Sequence, residues 1–108
     1  MGTFTFASLV EQLSRSNDRY LEILAVPTMS VGVYVLTAGT KDEQKPHTED
    51  EVYYIVSGIA TLNVSGEDQP VQPGSIVFVA ANEPHWFHNI LEDLTILVVF
   101  APARGSEA

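Results

Sequence analysis

The chain has 108 residues, room for one hydrophobic core and not for two. Fourteen acidic residues against five basic ones give a formal charge of −9, which excludes the clustered Lys and Arg that nucleic-acid backbones and anionic membranes require. There is no cysteine, so disulfides, thiolate zinc sites and a cysteine nucleophile are excluded as well.

An apolar content of 45% is that of an ordinary globular protein. The start, Met1 to Phe6, lacks the basic region and apolar run of a secretory signal. The longest apolar run, Leu94 to Ala101, falls well short of the roughly 18 residues a membrane span needs. The expectation is a soluble, cytoplasmic protein without nucleic-acid or membrane partners.

In chain order, the first element is a helix from Thr5 to Ser14. Phe6, Leu9, Val10 and Leu13 recur at three- and four-residue spacing and make one apolar stripe. Ser14 to Asp18 breaks that pattern. Residues 1–18 therefore form a helical flank to a domain spanning 19–101, and 102–108 reads as a small, polar, frayed tail.

From Tyr20 the period changes to two. Tyr20 to Val26 is one strand, and Met29 to Thr37 is the next, with Met29, Val31, Val33 and Val35 on one face and Ser30, Gly32, Tyr34 and Leu36 on the other. Gly39 to Glu43 is a loop. Short strands follow over about Gln44–His47, Glu51–Ser57, Ala60–Val64, Gln69–Gln72, Ser75–Val79, Pro84–Asn89 and Leu94–Phe100. Ser65-Gly66 suits a hairpin turn, and Pro73-Gly74 a type II turn. The sum is an all-β sandwich or barrel with one short N-terminal helix. Val52 to Val56 is apolar on both parities and needs cover on both faces, which a homodimer would supply.

Strand parity places Glu51, Tyr53 and Ile55 on one face, and His85, Phe87 and Asn89 on one face of a later strand, with Trp86 and His88 opposite. A buried carboxylate and imidazole without partners are costly, and a divalent cation is one way to satisfy them. His47, Glu51 and His85 offer two imidazoles and one carboxylate, the donor set of non-haem iron sites, which zinc and manganese also use. The competing reading is that each histidine is a hydrogen-bonded core residue. Glu49 and Asp50 read as a solvated turn, with Glu49 near enough to be a substitute ligand.

The spacing resembles the cupin family. The first cupin motif is glycine, five residues, His-x-His, three or four residues, glutamate, six residues and glycine. Gly39, Lys45, His47, Glu51 and Gly58 fall on it without a gap. The second is glycine, five residues, Pro-x-Gly, two residues, histidine, three residues and asparagine, and Gly74, Ala80, Asn82, His85 and Asn89 occupy those positions. The resemblance implies a double-stranded β-helix, or jelly roll, with the site inside the barrel and dimerisation through a sheet. It also implies metal ligands at His47, Glu51 and His85, while the family's leading histidine is replaced by Lys45.

Parity puts Lys45 on the face of His47. Three consequences stay open: metal bound through three protein ligands, a metal-free pocket in which Lys45 neutralises Glu51, or Lys45 turned to solvent with Gln44 or Glu49 as a fourth ligand. Iron, manganese, zinc and nickel all suit the donor set. For function, one reading is a metal-dependent enzyme, oxygenase- or isomerase-like, acting on a small molecule. Tyr53, Phe87 and Trp86 would then be pocket walls and Lys45 would orient a substrate carboxylate. The other is a binding or sensing barrel without turnover, metal-free in its simplest form. No catalytic acid or base stands out apart from the ligands.

Overall fold

The computed structural model describes residues 3–42 and 44–105. Met1 and Gly2, Glu43 of the expected loop and the last three residues of the expected tail, 106–108, lie outside them. The elements in chain order are α1 (Phe6–Ser14), β1 (Tyr20–Val26), β2 (Met29–Leu36), β3 (Asp50–Val64), β4 (Glu67–Val71), β5 (Ile76–Val79) and β6 (His85–Ala101).

Helix α1 uses the stripe read from the sequence: Leu9 and Leu13 are buried against Val33, with Leu21, Ile23 and Val35 packed around them. The helix ends where the Arg15 N–H turns back to the Gln12 carbonyl, and the Ser16 hydroxyl accepts from the Asp18 N–H to complete the break. It thus covers the outer face of β1 and β2.

All strand pairings are antiparallel, in the order β1-β2-β6-β3-β4 with β5 also on β3. Among the described residues six strands replace the nine or so expected, because β3 and β6 each fuse two of them and Gln44–His47 forms none. The first half of β3 pairs with the second half of β6 and with β5; its second half pairs with the first half of β6 and with β4. The register shifts between Ile55 and Thr61 mark the corner where the pair passes from one layer to the other. Gly58 occupies that corner at φ +100°, and a Cβ there would stand 2.3 Å from the Asp93 carbonyl oxygen, so no other residue fits without moving the backbone. The segment Gln44–His47, expected as a strand, has no ladder partner and is irregular.

Both predicted turns form. Ser65 and Gly66 have φ values of 50° and 89° and join β3 to β4 as a two-residue hairpin. Gly74 takes φ 93°, and the Ser75 N–H bonds the Gln72 carbonyl at 2.9 Å.

The inner faces of the two layers build the core: Leu36, Tyr53, Ile55, Leu62, Phe87, Leu94, Ile96, Val98 and Phe100 are buried together. Outside, Val52 and Tyr54 pair with Phe78 and Ile76 on one side and with Val99 and Leu97 on the other. This apolar outer face continues the one that α1 covers, yet Ile76, Phe78 and Tyr54 remain 72%, 62% and 42% exposed.

Candidate metal centre

Three elements deliver the candidate ligands. Glu51 lies near the start of β3 and His85 opens β6, both on the inner parity; His47 comes from the irregular segment before β3. The turn between β5 and β6 ties that segment in place. The Asn82 N–H donates to the His47 carbonyl at 2.7 Å, and the Ala81 N–H donates to the Asp50 carboxylate at 2.8 Å. This turn also explains two departures from the motif. Asn82 stands where the motif has glycine and takes φ 67°, a region asparagine tolerates. Ala80 stands where it has proline, and the Ala80 N–H, which proline would lack, bonds the Glu83 carboxylate at 3.1 Å.

His47, Glu51 and His85 converge: one ligand atom from each lies within 4.8 Å of the others. Ligands bonded to a common zinc-sized ion at about 2.1 Å stand up to about 4.2 Å apart, so a small contraction completes the site. The Nδ1–H of His85 donates to the Glu83 carbonyl at 2.8 Å. A carbonyl only accepts, so in the neutral ring the lone pair is on Nε2, which faces Glu51; ligating histidines are oriented in the same way.

Nε2 approaches Oε1 of Glu51 at 2.6 Å, but off the line of a hydrogen bond, and both side chains are 1% exposed. Nε2 of His85 and Oε2 of Glu51 are consequently buried without any hydrogen-bond partner. Oε2 of Glu51 has no partner at all and Nε2 of His85 only its ion-pair contact with Oε1, so the focus of the His-Glu-His cluster fits a divalent cation that would take both atoms as ligands.

The electrostatics divide the two histidines. Burial works against charge on His85, but the Glu51 carboxylate and the Glu83 carbonyl outweigh it and its pKa is raised. At His47 burial prevails over the pull of Glu51, and the pKa is lowered. Tyr53 is buried among them. Its hydroxyl stands 3.0 Å from Glu51 Oε1 and 3.1 Å from Gln44 Oε1, so one proton serves two acceptors. Burial first, and the Glu51 charge second, raise its pKa well above the usual phenol value.

Asp42 arranges this wall. It is 5% exposed, and its carboxylate accepts from the Tyr34 hydroxyl at 2.8 Å, the Gln44 side-chain amide at 2.7 Å and the Phe87 N–H at 2.9 Å. The amide nitrogen of Gln44 must face Asp42, which turns its oxygen toward Tyr53. Sequence reasoning missed Asp42, because a lone acid in a polar loop carries no pattern.

Of the remaining candidates, Phe87 lies inside the barrel, and Lys45, Trp86 and His88 do not. Lys45 is exposed and does not line the cavity, whereas Gln44 does; without a ladder, the alternation assumed for this segment is not enforced. Phe87 is buried with its ring 5.3 Å from that of Tyr53. Trp86 is 39% exposed on the opposite face of β6. Glu49 is 2% exposed rather than solvated, because it folds back onto the Thr48 hydroxyl. His88 pairs with Asp68 at 2.9 Å on the outside.

Beside His47 opens a cavity of ≈ 90 Å³, space for a handful of waters or one small molecule, lined by Tyr20, Tyr34, Gln44, His47, Tyr53, Val98, Phe100 and Arg104. Arg104 belongs to the expected frayed tail. Instead its N–H donates to the buried Ser30 hydroxyl at 2.9 Å and its guanidinium stacks 4.7 Å from the Tyr20 ring centre. The Tyr20 hydroxyl is buried without a partner, and burial pushes its pKa up to about 12. Among the described residues no helix is long and apolar enough to cross a membrane.

Comparison with known proteins agrees with this architecture. The chain is 47% identical over 105 residues to the uncharacterized protein SCO3923 of Streptomyces coelicolor, covering 97% of this chain and 100% of that one. Among solved structures it is similar to an RmlC-like cupin family protein with a double-stranded β-helix fold from Methanocaldococcus jannaschii. That match has a TM-score of 0.67 and 21% identity, over 80% of this chain and 84% of that one. It is also similar to a predicted oxalate decarboxylase from Thermotoga maritima, with a TM-score of 0.67 and 23% identity over 77% and 78% of the two chains. At such identities these structures show the fold, a double-stranded β-helix, and no activity. Residues 32–100, well over half of the sequence and including both motifs, match the Cupin domain, and the chain belongs to the cupin family.

Proposed function

We propose that this barrel binds one divalent metal through His47, Glu51 and His85 and is a metal-dependent enzyme acting on a small molecule in the adjoining cavity. The observation that carries the reading is the convergence of His47, Glu51 and His85 within 4.8 Å around a buried Glu51 oxygen, Oε2, that has no partner. When bound, the metal would supply Lewis-acid or redox chemistry. The chain's own residues do the rest. Tyr53, with its raised pKa, keeps its proton and shares it as a hydrogen bond between Glu51 and Gln44. Phe87, Phe100 and Val98 keep bulk water from the inner end of the site.

A panel of small oxygenated molecules, followed by oxygen uptake and by loss of substrate, tests this. Turnover is expected with Fe(II)-, Mn(II)- or Zn(II)-loaded protein and is expected to vanish on chelation. Turnover that survives chelation, or ligands that bind to the loaded protein and come off unchanged across the panel, would overturn the enzymatic reading.

The same proposal includes a homodimer through the exposed sheet face of Tyr54, Ile76 and Phe78. The face is continuous with an apolar surface that α1 already covers elsewhere, and isolated patches of this kind are uncommon on monomers. Light scattering at micromolar concentration is expected to give twice the 11.8 kDa chain mass, and Phe78→Glu is expected to halve it. A monomeric wild-type protein would contradict the pairing.

A further inference from the structure

Arg104 has no part in the metal cluster, yet the structure spends several contacts on positioning it. Its N–H is fixed to Ser30, whose side chain is fully buried in β2, and its guanidinium lies against the Tyr20 ring. The side chain lines the inner cavity and also a wider vestibule of ≈ 440 Å³ outside it, bounded by Glu22, Thr48 and Glu49 among others. His47 is the other described residue common to both spaces. The two spaces therefore adjoin at the candidate ligand and the guanidinium.

Two facts give this position a chemical meaning. Arg104 makes no ion pair among the described residues, although the chain as a whole is strongly acidic. Among the described residues it is also the single Lys or Arg lining either space. An unpaired guanidinium is a planar fork of donors suited to a carboxylate.

We propose that Arg104 is the specificity-determining residue of the cavity and holds the carboxylate of a small organic acid, whose remaining oxygen reaches the His47–Glu51–His85 cluster. The second half of that statement rests on the metal reading; the first half does not. The cavity volume limits the acid to a few heavy atoms beyond its carboxylate.

Malonate and its neutral analogue malonamide, titrated calorimetrically into metal-loaded protein, provide the test. The wild type is expected to prefer malonate. Arg104→Gln is expected to lower that preference about tenfold, the worth of a charge-assisted contact, with metal content unchanged; Arg104→Lys is expected to recover part of it. A preference that Arg104→Gln leaves intact, or no binding of malonate at all, overturns the proposal. If malonate binding is lost in His85→Ala but kept in Arg104→Gln, the metal reading stands and the role of Arg104 falls. If the purified protein retains no metal, the same ratio is read on the metal-free protein. A drop with Arg104→Gln then upholds the carboxylate site while the metal reading fails.

Discussion

His85→Ala is expected to abolish metal binding, while Lys45→Ala leaves it unchanged. Removing an outer partner of a metal-bound histidine costs about 10–100-fold in affinity, so removing a ligand itself is expected to cost more than about 100-fold. Lys45 is exposed and outside the cluster, and therefore has nothing to lose. The same geometry fixes the direction of the pH dependence. The Glu51 carboxylate and the Glu83 carbonyl raise the pKa of His85, so below that pKa a proton occupies the nitrogen the metal needs and affinity weakens as pH falls. His47, with its pKa lowered by burial, takes up its proton only at lower pH, so its share of the weakening follows that of His85. Titration of both variants with Zn(II), with circular dichroism to show that each is folded, reads these outcomes. Equal affinity in His85→Ala and the wild type would remove the cluster from consideration.

The second large effect belongs to stability. Asp42→Ala leaves the Tyr34 hydroxyl, the Gln44 amide and the Phe87 N–H without their common acceptor inside the barrel. At about 1–3 kcal/mol for the buried Phe87 N–H and about 0.5–1.5 kcal/mol for each of the two part-buried donors, the loss is expected to be about 2 kcal/mol or more. For a chain of this size that is a fall in Tm of about 8 °C or more. Gln44 would also lose the bond that sets its orientation toward Tyr53. Urea unfolding measures the loss directly, and a change of less than about 1 kcal/mol would mean that water reaches those donors without Asp42.

The contrast between Asp42 and Glu51 shows what the sequence made legible. Glu51, His47 and His85 stand at fixed distances from glycines that the fold needs. Gly58 closes the corner of β3 against Asp93, and Gly74 makes the turn before β5. Backbone requirements of this kind leave a spacing, and the spacing carried the cluster and the fold together. Asp42 works through side-chain contacts that reach across 45 residues to Phe87, and no local pattern records them. Arg104 escaped for the same reason, since its anchor Ser30 lies 74 residues earlier.

Strand parity was reliable only where a ladder enforces it. Along β3 and β6 it grouped Glu51 with Tyr53 and His85 with Phe87, all of them buried, but it failed at Asn89, which is exposed at φ 49° where the register of β6 with β3 shifts. Between Gln44 and His47 there is no ladder, and parity exchanged Lys45 with Gln44. The strand count erred differently. Bulges between Ile55 and Thr61 bend β3 without ending it, and to a sequence reading a bend and a break look alike.

The most direct measurement on the central proposal is the metal content of protein purified without a nickel column. A site made by His47, Glu51 and His85 predicts close to one equivalent per chain, as isolated or after adding Fe(II), Mn(II) or Zn(II) to chelated protein. Less than about a tenth of an equivalent, not restored by any of the three ions, would contradict it.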